Sequence, residues 1–312
     1  MPKKHEFYPG MNNPLLFKKT RIAPTPSGFL HLGNALSFAL TAALAQKTGA
    51  KLLLRIDDLD RERVDNAYVQ DIFDTLHFLG IACDEGPASL HAYETEYSQL
   101  HRMHIYRDGL QQLKNRGHVF ACTCSRAQVL RDNPEGIYPG TCRDKGIPLD
   151  TKDASWRLHT SDARELSVNT LQGDVIKTSL PGAMQYFIIR KKDGFPAYQL
   201  TSVLDDVYYG VDLIVRGEDL WASTLAQLYL ASLLKQEAFL NSTFYHHPLL
   251  EEMPGKKLSK SAGATSIQHL RKQGKTAADI YTAIAAALAI EAPVKSWQML
   301  ADIPALIPIP SR

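Results

Sequence analysis

The stretch "RIAPTPSGFLHLGNAL" at residues 21–36 joins an apolar strand end to a long apolar helix pattern through a corner rich in proline and glycine. "KKTRIA" predicts the strand before the corner, and "ALSFALTAALAQKTG" at 35–49 predicts a helix that ends at Gly49. "KLLLRI" at 51–56 is the short, continuous apolar run typical of a buried parallel strand. Strand, helix and strand in this order predict a βαβ unit and therefore an α/β fold with a Rossmann-like parallel sheet.

The pattern farther along the chain predicts an interruption of this sheet. Helical periodicity continues to about residue 117, and the α/β rhythm returns with the strand "VDLIVRG" at 211–217. Cysteines, short strands and turn signals lie between them. We therefore predict the first half of a Rossmann-like domain at 1–117, an inserted module at 118–190, the second half of the domain at 191–261, and a short C-terminal helical segment at 262–312.

The composition is typical of a globular protein, and the length is that of an ordinary enzyme. It has 312 residues, of which 45% are hydrophobic and 22% are charged, and a formal net charge of +2. No apolar run approaches the ~20 residues of a membrane span, and the N-terminal stretch has no secretion signal pattern. We expect a cytoplasmic, monomeric protein without a membrane partner. The net charge is too small to indicate a nucleic-acid partner by itself.

The proline-glycine corner has the features of a phosphate site. A loop that leaves a parallel strand and opens a helix presents backbone N–H groups and the positive end of the helix dipole. Gly28 and Gly33 allow close backbone approach, and His31 can donate to a phosphate oxygen. Lysines suited to following a phosphate lie in "KKLSKS" at 256–261. Alone, a surface histidine or a solvated basic turn would explain either motif, but their order favours a nucleotide site.

These motifs resemble the paired signatures of the class I aminoacyl-tRNA synthetases, present here as "HLGN" at 31–34 and "KLSKS" at 257–261. "LLLRIDDLDRER", "FPAYQLTSVLDD" and "IVRGEDL" are similar to the glutamyl branch. The resemblance implies activation of L-glutamate by ATP with Mg²⁺, and His31 and Lys260 as the catalytic pair. It also implies an ATP site formed by His31, Gly33, Asn34, Lys257, Ser259 and Lys260.

The glutamate pocket needs guanidinium forks for two carboxylates and an acidic group for the ammonium. Arg21, Asp57 and Arg216 lie at the ends of three predicted strands, where ligands of such sheets bind. An internal ion pair, such as Arg55 with an aspartate, is the alternative for each. By resemblance, the pocket consists of Arg21, Ile22, Ala23, Pro24, Thr25, Asp57, Tyr198 and Arg216. The family has glutamate in place of Asp57, whose shorter side chain would reach the ammonium directly or through a water.

Three clustered cysteines of the insert predict a metal site. Cys122, Cys124 and Cys142 supply three thiolates, one ligand short of a tetrahedral zinc site. The resemblance implies Tyr138 as the fourth ligand, with His118 or a water as alternatives. The zinc would be structural, one per chain. Cys83 stands alone and predicts a small buried apolar residue.

Within the glutamyl branch, the chain resembles the short paralogues that attach glutamate to the queuosine base in the anticodon of tRNA(Asp). After Ser261 only residues 262–312 follow, too few for the helical anticodon-binding region of longer relatives. The expected partners are therefore ATP, L-glutamate and tRNA(Asp) bearing queuosine, with Arg126, Arg131 and Arg143 on its phosphates. The alternatives are a truncated glutamyl-tRNA synthetase that charges the 3′ end and a catalytically idle RNA-binding relative.

Overall fold

The computed structural model describes residues 16–160, 162, 164–253, 256–257, 266–304 and 306–307. Ser259 and Lys260, two residues of the predicted ATP site, lie outside this range. Of Lys257, only the backbone is described.

The described chain alternates strands with helices over most of its length. The strands are β1 (Lys19–Ile22), β2 (Lys51–Leu54), β3 (Val119–Cys122), β4 (Ser155–Leu158), β5 (Glu165–Thr170), β6 (Val175–Ser179), β7 (Ile188–Arg190), β8 (Leu213–Gly217), β9 (Thr243–His247), β10 (Glu251–Met253) and β11 (Lys256–Lys257). The α-helices are α1 (Leu32–Thr48), α2 (Asn66–Phe78), α3 (Leu90–Ala92), α4 (Met103–Asn115), α5 (Arg126–Asp132), α6 (Tyr198–Tyr209), α7 (Trp221–Leu234), α8 (Glu237–Leu240), α9 (Ile267–Lys272), α10 (Ala277–Ala287) and α11 (Trp297–Ala301).

The predicted βαβ unit is confirmed. β1 and β2 pair in parallel, with Arg21 opposite Leu53, and α1 connects them. Gly49 follows α1 in the left-handed region at φ 74°, a conformation that glycine adopts without steric cost and that commonly ends a helix. The apolar face of α1, rich in alanine and leucine, is buried against the sheet.

The main sheet has six strands in the order β2-β1-β8-β9-β5-β6. Neighbouring strands are parallel except for β6, which is antiparallel to β5. The predicted α/β class is therefore confirmed, with one antiparallel edge strand. Because β2 lies on one side of β1 and β8 on the other, the connections after β1 and β8 diverge at the carboxyl edge between these two strands. Open α/β sheets bind their ligands at such a switch point.

The region predicted as an insert contributes to two sheets. β3, β4 and β7 form a separate antiparallel sheet, whereas β5 and β6 belong to the main sheet through parallel pairing of β5 with β9. The pairing of β5 with β9 spans more than seventy residues of sequence, so no local pattern could have indicated it. The domain limits at 117, 190 and 261 stay a prediction.

Two apolar clusters cover the two faces of the main sheet. Alternate residues of β8 point to opposite clusters: Leu213 and Val215 join α1, whereas Ile214 joins α4, α6 and α7. The C-terminal helices belong to the first cluster, where Ile284 and Leu300 pack with α1. The described part of the chain contains no helix long and apolar enough to cross a membrane.

Candidate active site

His31 caps the N-terminus of α1. Its Nδ1 accepts a hydrogen bond from the Gly33 N–H at 3.1 Å, and the Asn34 side-chain oxygen accepts from the His31 N–H at 3.0 Å. Since Nδ1 is the acceptor, the neutral imidazole carries its proton on Nε2. The N-terminus of α1 therefore orients the exposed His31 ring. From the sequence, the Gly33 N–H was a candidate donor to a phosphate, but in the structure it donates to this ring.

The segment that follows the lysine motif lies beside this corner. His31 and Ser266 form an isolated antiparallel bridge, and the Ile267 N–H donates to the Leu30 carbonyl at 2.7 Å. The motif itself begins in β11, which pairs with β10. The structure therefore brings the C-terminal flank of the motif to the HLGN corner, and Lys260 itself lies outside the described residues.

Arg216, the next-to-last residue of β8, is a buried cation with unused donors. Only 3% of the residue is exposed, and its Nη1 donates to Gln227 Oε1 at 2.8 Å and to Thr224 Oγ1 at 3.3 Å. Its Nε and Nη2 have no hydrogen-bond partner among the residues that the structure describes. Burial lowers the pKa of Arg216, so the charged guanidinium is destabilised until an anion binds. A carboxylate is the ligand that would satisfy both donors.

Arg21 lies on the neighbouring strand and is held by Asp206. Its Nε donates to Asp206 Oδ1 at 3.0 Å, and its Nη1 donates to the Val215 carbonyl at 3.2 Å. Burial alone would raise the pKa of Asp206, but the charges of Arg21, Arg55 and Arg216 hold this pKa below its ordinary value. Asp206 is therefore an ionised carboxylate that positions Arg21 next to the end of β8.

Asp57 forms the internal ion pair that the sequence left open as an alternative. Both of its oxygens accept from Arg55, from Nε at 2.7 Å and from Nη2 at 3.0 Å. Arg55 also donates through Nη1 to Asp206 at 2.6 Å. Burial raises the pKa of Asp57, against the opposing effect of the Arg55 charge. The structure thus connects Asp57 to the pocket through Arg55, and its contact with the substrate ammonium stays a prediction.

The other predicted pocket residues lie at the end of β1, in the loop that follows it, and at the start of α6. The Ile22 and Pro24 carbonyls accept from the Arg55 and Asp57 N–H groups at 2.9 and 3.0 Å, so this loop runs beside the segment after β2. Ala23 and Thr25 lie in the same loop. Tyr198 begins α6 with 42% of its surface exposed.

Sequence reasoning missed the groups that hold the two arginines. Asp206 contacts Arg21, Thr224 and Gln227 contact Arg216, and His246 contacts Thr224. The signal for two of them was present, since Thr224 and Gln227 are polar residues one helical turn apart in the largely apolar helix α7. His246 contacts Thr224 Oγ1 through Nε2 at 2.8 Å, and burial lowers the pKa of His246 to about 3. Its imidazole is neutral at physiological pH and adds no like charge beside Arg216.

The three predicted cysteine ligands come together in the structure. The sulfurs of Cys122, Cys124 and Cys142 all lie within 4.8 Å of one another. The Tyr138 hydroxyl is 3.4 Å from Cys122 Sγ and accepts from the Cys142 N–H at 2.8 Å. The separation of 3.5 Å between Cys124 Sγ and Cys142 Sγ is far above a disulfide length, and it is close to the edge of roughly 3.8 Å that tetrahedral zinc–thiolate bonds produce. This cluster could hold a metal ion.

No histidine or carboxylate among the described residues joins this cysteine group, so His118 is not part of it. The position of Tyr138 fits better, because its hydroxyl lies 3.4 Å from Cys122 Sγ. Burial raises the pKa of the Tyr138 phenol, so ligation would require the metal ion itself to displace the phenol proton.

The three arginines predicted to contact RNA differ in their surroundings. Arg126 and Arg131 are exposed near the two ends of α5. Arg143 pairs with Asp144 at 2.8 Å and donates to the Tyr186 hydroxyl at 2.7 Å. RNA contact by these residues stays a prediction.

Comparison with known proteins shows which family the chain matches. The model of the catalytic domain of class I tRNA synthetases (E and Q) matches residues 18–145 and 151–290. The glutamyl-Q tRNA(Asp) synthetase of Thiobacillus denitrificans is 36% identical over 251 residues, covering 79% of each chain. The enzyme of the same name from Rhodobacter capsulatus is 33% identical over 282 residues, covering 84% of this chain and 97% of its own.

Among solved structures, a glutamate tRNA ligase from Elizabethkingia meningosepticum in complex with its amino acid has the same fold, with a TM-score of 0.69 at 20% identity. The match covers 91% of this chain but only 64% of that structure, so this chain spans less than two thirds of the longer ligase.

Proposed function

The chain belongs to the class I tRNA synthetases of the glutamate and glutamine family, and we propose that it activates L-glutamate with ATP and transfers the glutamyl group to queuosine in the anticodon of tRNA(Asp). Family membership makes it a ligase of the aminoacyl-tRNA synthetase type. The similarity to two glutamyl-Q tRNA(Asp) synthetases, one of them matched over 97% of its length, supports queuosine as the acceptor.

The observation that supports glutamate as the substrate is the buried guanidinium of Arg216, in which Nη1 is hydrogen-bonded but Nε and Nη2 have no partner among the described residues. Its free Nε and Nη2 form a fork for one carboxylate, and Arg21 contributes a second cation on the adjacent strand. We assign this fork to the side-chain carboxylate, because glutamine, which shares the α-carboxylate, would then place a neutral amide there and leave a buried charge uncompensated. With this assignment, the pocket favours glutamate over glutamine through electrostatics.

The first reaction step needs charge stabilisation and no protein nucleophile. A glutamate carboxylate oxygen attacks the α-phosphorus of ATP, the bond from that phosphorus to the bridging oxygen breaks, and pyrophosphate leaves. The His31 Nε2–H and the Lys260 ammonium stabilise the negative charge that develops on the phosphate oxygens. Mg²⁺, when bound with ATP, would supply positive charge to the pyrophosphate leaving group. In the second step, a hydroxyl of the queuosine cyclopentenediol attacks the acyl carbon, and AMP leaves.

Gly33 gives a direct test of the His31 orientation. A Cβ at position 33 would lie 3.0 Å from His31 Cε1 and 3.1 Å from Nδ1, so Gly33→Ala displaces the ring. We expect kcat for glutamate-dependent ATP–pyrophosphate exchange to fall about tenfold. Gly28→Ala is the matched control in the same loop, because nothing lies within 4 Å of a Cβ there. Equal kcat values for the two variants would show that the position of the ring does not matter.

We also propose that Cys122, Cys124, Tyr138 and Cys142 hold one structural zinc ion. The chain purified without chelator is expected to contain about one zinc by elemental analysis. Cys142→Ser is expected to lose the metal and to lower the unfolding temperature, since metal binding and folding are coupled. Cys83→Ser is the control, because Cys83 packs in a different apolar cluster. Metal-free protein with an unchanged unfolding temperature contradicts the proposal.

The acceptor is tested with two preparations of tRNA(Asp) that differ only in queuosine. We expect labelled glutamate to be transferred to the queuosine-bearing RNA and not to the RNA that carries guanosine at that position, because only the former has the cyclopentenediol. Equal transfer to both would favour the alternative of a glutamyl-tRNA synthetase that charges the 3′ end. Absence of glutamate activation would favour the catalytically idle RNA-binding relative.

A further inference from the structure

Asp71 lies on the buried side of α2 and reaches the HLGN corner, although the proposed reaction uses no residue of α2. Its Oδ2 accepts a hydrogen bond from the Leu30 N–H at 3.0 Å. The residue is 1% exposed, and its neighbours Val69 and Ile72 belong to the apolar cluster that contains α1. A buried carboxylate costs free energy unless donors satisfy it, so the donors that Asp71 binds indicate its role.

Both backbone polar groups of Leu30 are bound by other elements. Its N–H donates to Asp71 on α2, and its carbonyl accepts from the Ile267 N–H at the start of α9 at 2.7 Å. The Leu30 side chain is buried as well. Because Leu30 directly precedes His31, these bonds from α2 and α9 fix the backbone from which the His31 ring projects.

The second oxygen of Asp71 connects the corner to the body of α9. Asp71 Oδ1 accepts from Arg271 Nη2 at 2.8 Å, and Arg271 lies one helical turn after Ile267. The Asp71 side chain is fully covered, and that of Arg271 is 21% exposed. An ion pair of this kind contributes little net stability compared with apolar residues of the same size. Its geometry is therefore the better explanation for a carboxylate at this position.

We infer that Asp71 is a positioning residue for glutamate activation, because it holds the HLGN corner against α9 and so keeps the His31 imidazole in place at the phosphate. The inference rests on the proposed function, which assigns charge stabilisation to His31. Among the described residues, Asp71 forms hydrogen bonds with Leu30, Thr75 and Arg271 and with no residue of the glutamate pocket. Its loss should therefore slow the reaction of bound substrates without weakening glutamate binding.

The first test is Asp71→Asn in glutamate-dependent ATP–pyrophosphate exchange. The amide keeps one acceptor oxygen and presents an NH₂ group where both partners donate, so it cannot hold Leu30 and Arg271 together. We expect kcat to fall about tenfold, since small displacements of a reacting group are costly, and KM for glutamate to change less than twofold. Arg271→Gln breaks the same connection from a partly exposed position and is expected to lower kcat by a similar factor.

Two controls separate positioning from general stability. Asp74→Asn makes the same change one turn farther along α2, where the carboxylate lies 3.6 Å from Arg271 Nη1 and its hydrogen-bond donor is Gln70, outside the corner. Tyr281→Phe removes a buried hydrogen bond to the Leu79 carbonyl, 2.8 Å long, and is expected to lower the unfolding temperature. Both controls should keep kcat within twofold of the unchanged chain.

The double variant Asp71→Asn, Arg271→Gln is expected to be no slower than Asp71→Asn alone, because both changes break one connection. Losses that multiply in the double variant, an equal loss in either control, or a change in KM for glutamate at unchanged kcat overturns the inference. If Asp71→Asn does not fold, an unchanged kcat of Arg271→Gln overturns it alone. Full exchange by the unchanged chain and by both single variants removes only this inference, whereas no exchange by the unchanged chain removes the proposed function.

Discussion

Arg216→Lys is expected to lower kcat/KM for glutamate in ATP–pyrophosphate exchange by about 100-fold, mainly through KM. The guanidinium offers two buried, unused N–H donors, on Nε and Nη2, to one carboxylate. Lysine keeps the charge but loses the planar fork, and each charge-assisted hydrogen bond contributes roughly 1.5–3 kcal/mol. The KM for ATP is expected to change less than threefold, because the nucleotide does not use this fork.

The matched control for this substitution is Arg164→Lys. Arg164 is partly buried, pairs with Asp162 at 2.7 Å and contacts none of the described pocket residues, so its substitution tests the general cost of replacing arginine by lysine. Circular dichroism of both variants checks that the fold is retained. A folded Arg216→Lys chain with the original KM for glutamate would show that the substrate carboxylate binds elsewhere.

His31→Ala and Lys260→Ala are each expected to lower kcat for the same exchange by about 100-fold with little change in KM for glutamate. Both groups act on charge that develops on the phosphate in the transition state, and loss of one such donor costs about 3 kcal/mol. The expectation for Lys260 rests on the sequence motif, since the residue lies outside the described part of the chain.

His31 also caps α1, so its loss affects stability as well as chemistry. His31→Ser separates the two effects, because a serine hydroxyl is a good N-cap acceptor and carries no imidazole. We expect His31→Ser to unfold at a higher temperature than His31→Ala and to be equally slow in exchange. Lys272→Ala, at an exposed position of α9, is the control for Lys260. Full exchange by His31→Ser would remove the imidazole from the mechanism.

The sequence predicts those parts of this protein that local patterns encode. The apolar runs on either side of the HLGN corner define β1, α1 and β2, and the cysteine spacing identifies three sulfurs that lie together in the structure. In both cases, residues close in the chain are also close in space. The ends of predicted strands also indicate the edge where Arg21 and Arg216 meet.

Contacts between distant residues explain what the sequence left open. Asp206 reaches Arg21 and Arg55 across at least 151 positions of the chain, and β5 joins β9 through a parallel pairing that local periodicity does not encode. The partner of Asp57 is the exception, because Arg55 lies only two residues away. There the pattern allowed both an ion pair and a ligand contact, and only the geometry shows that Arg55 uses both carboxylate oxygens.

The position of the glutamyl group on tRNA(Asp) tests the central claim most directly. Queuosine-bearing tRNA(Asp) is charged with labelled glutamate, cleaved by a base-specific nuclease at acidic pH, where the ester survives, and separated into anticodon and 3′-terminal fragments. A parallel sample lacks the 3′-terminal adenosine. The account predicts that the label travels with the anticodon fragment and that the shortened RNA accepts glutamate undiminished; label on the 3′-terminal fragment, together with no acceptance by the shortened RNA, would contradict it.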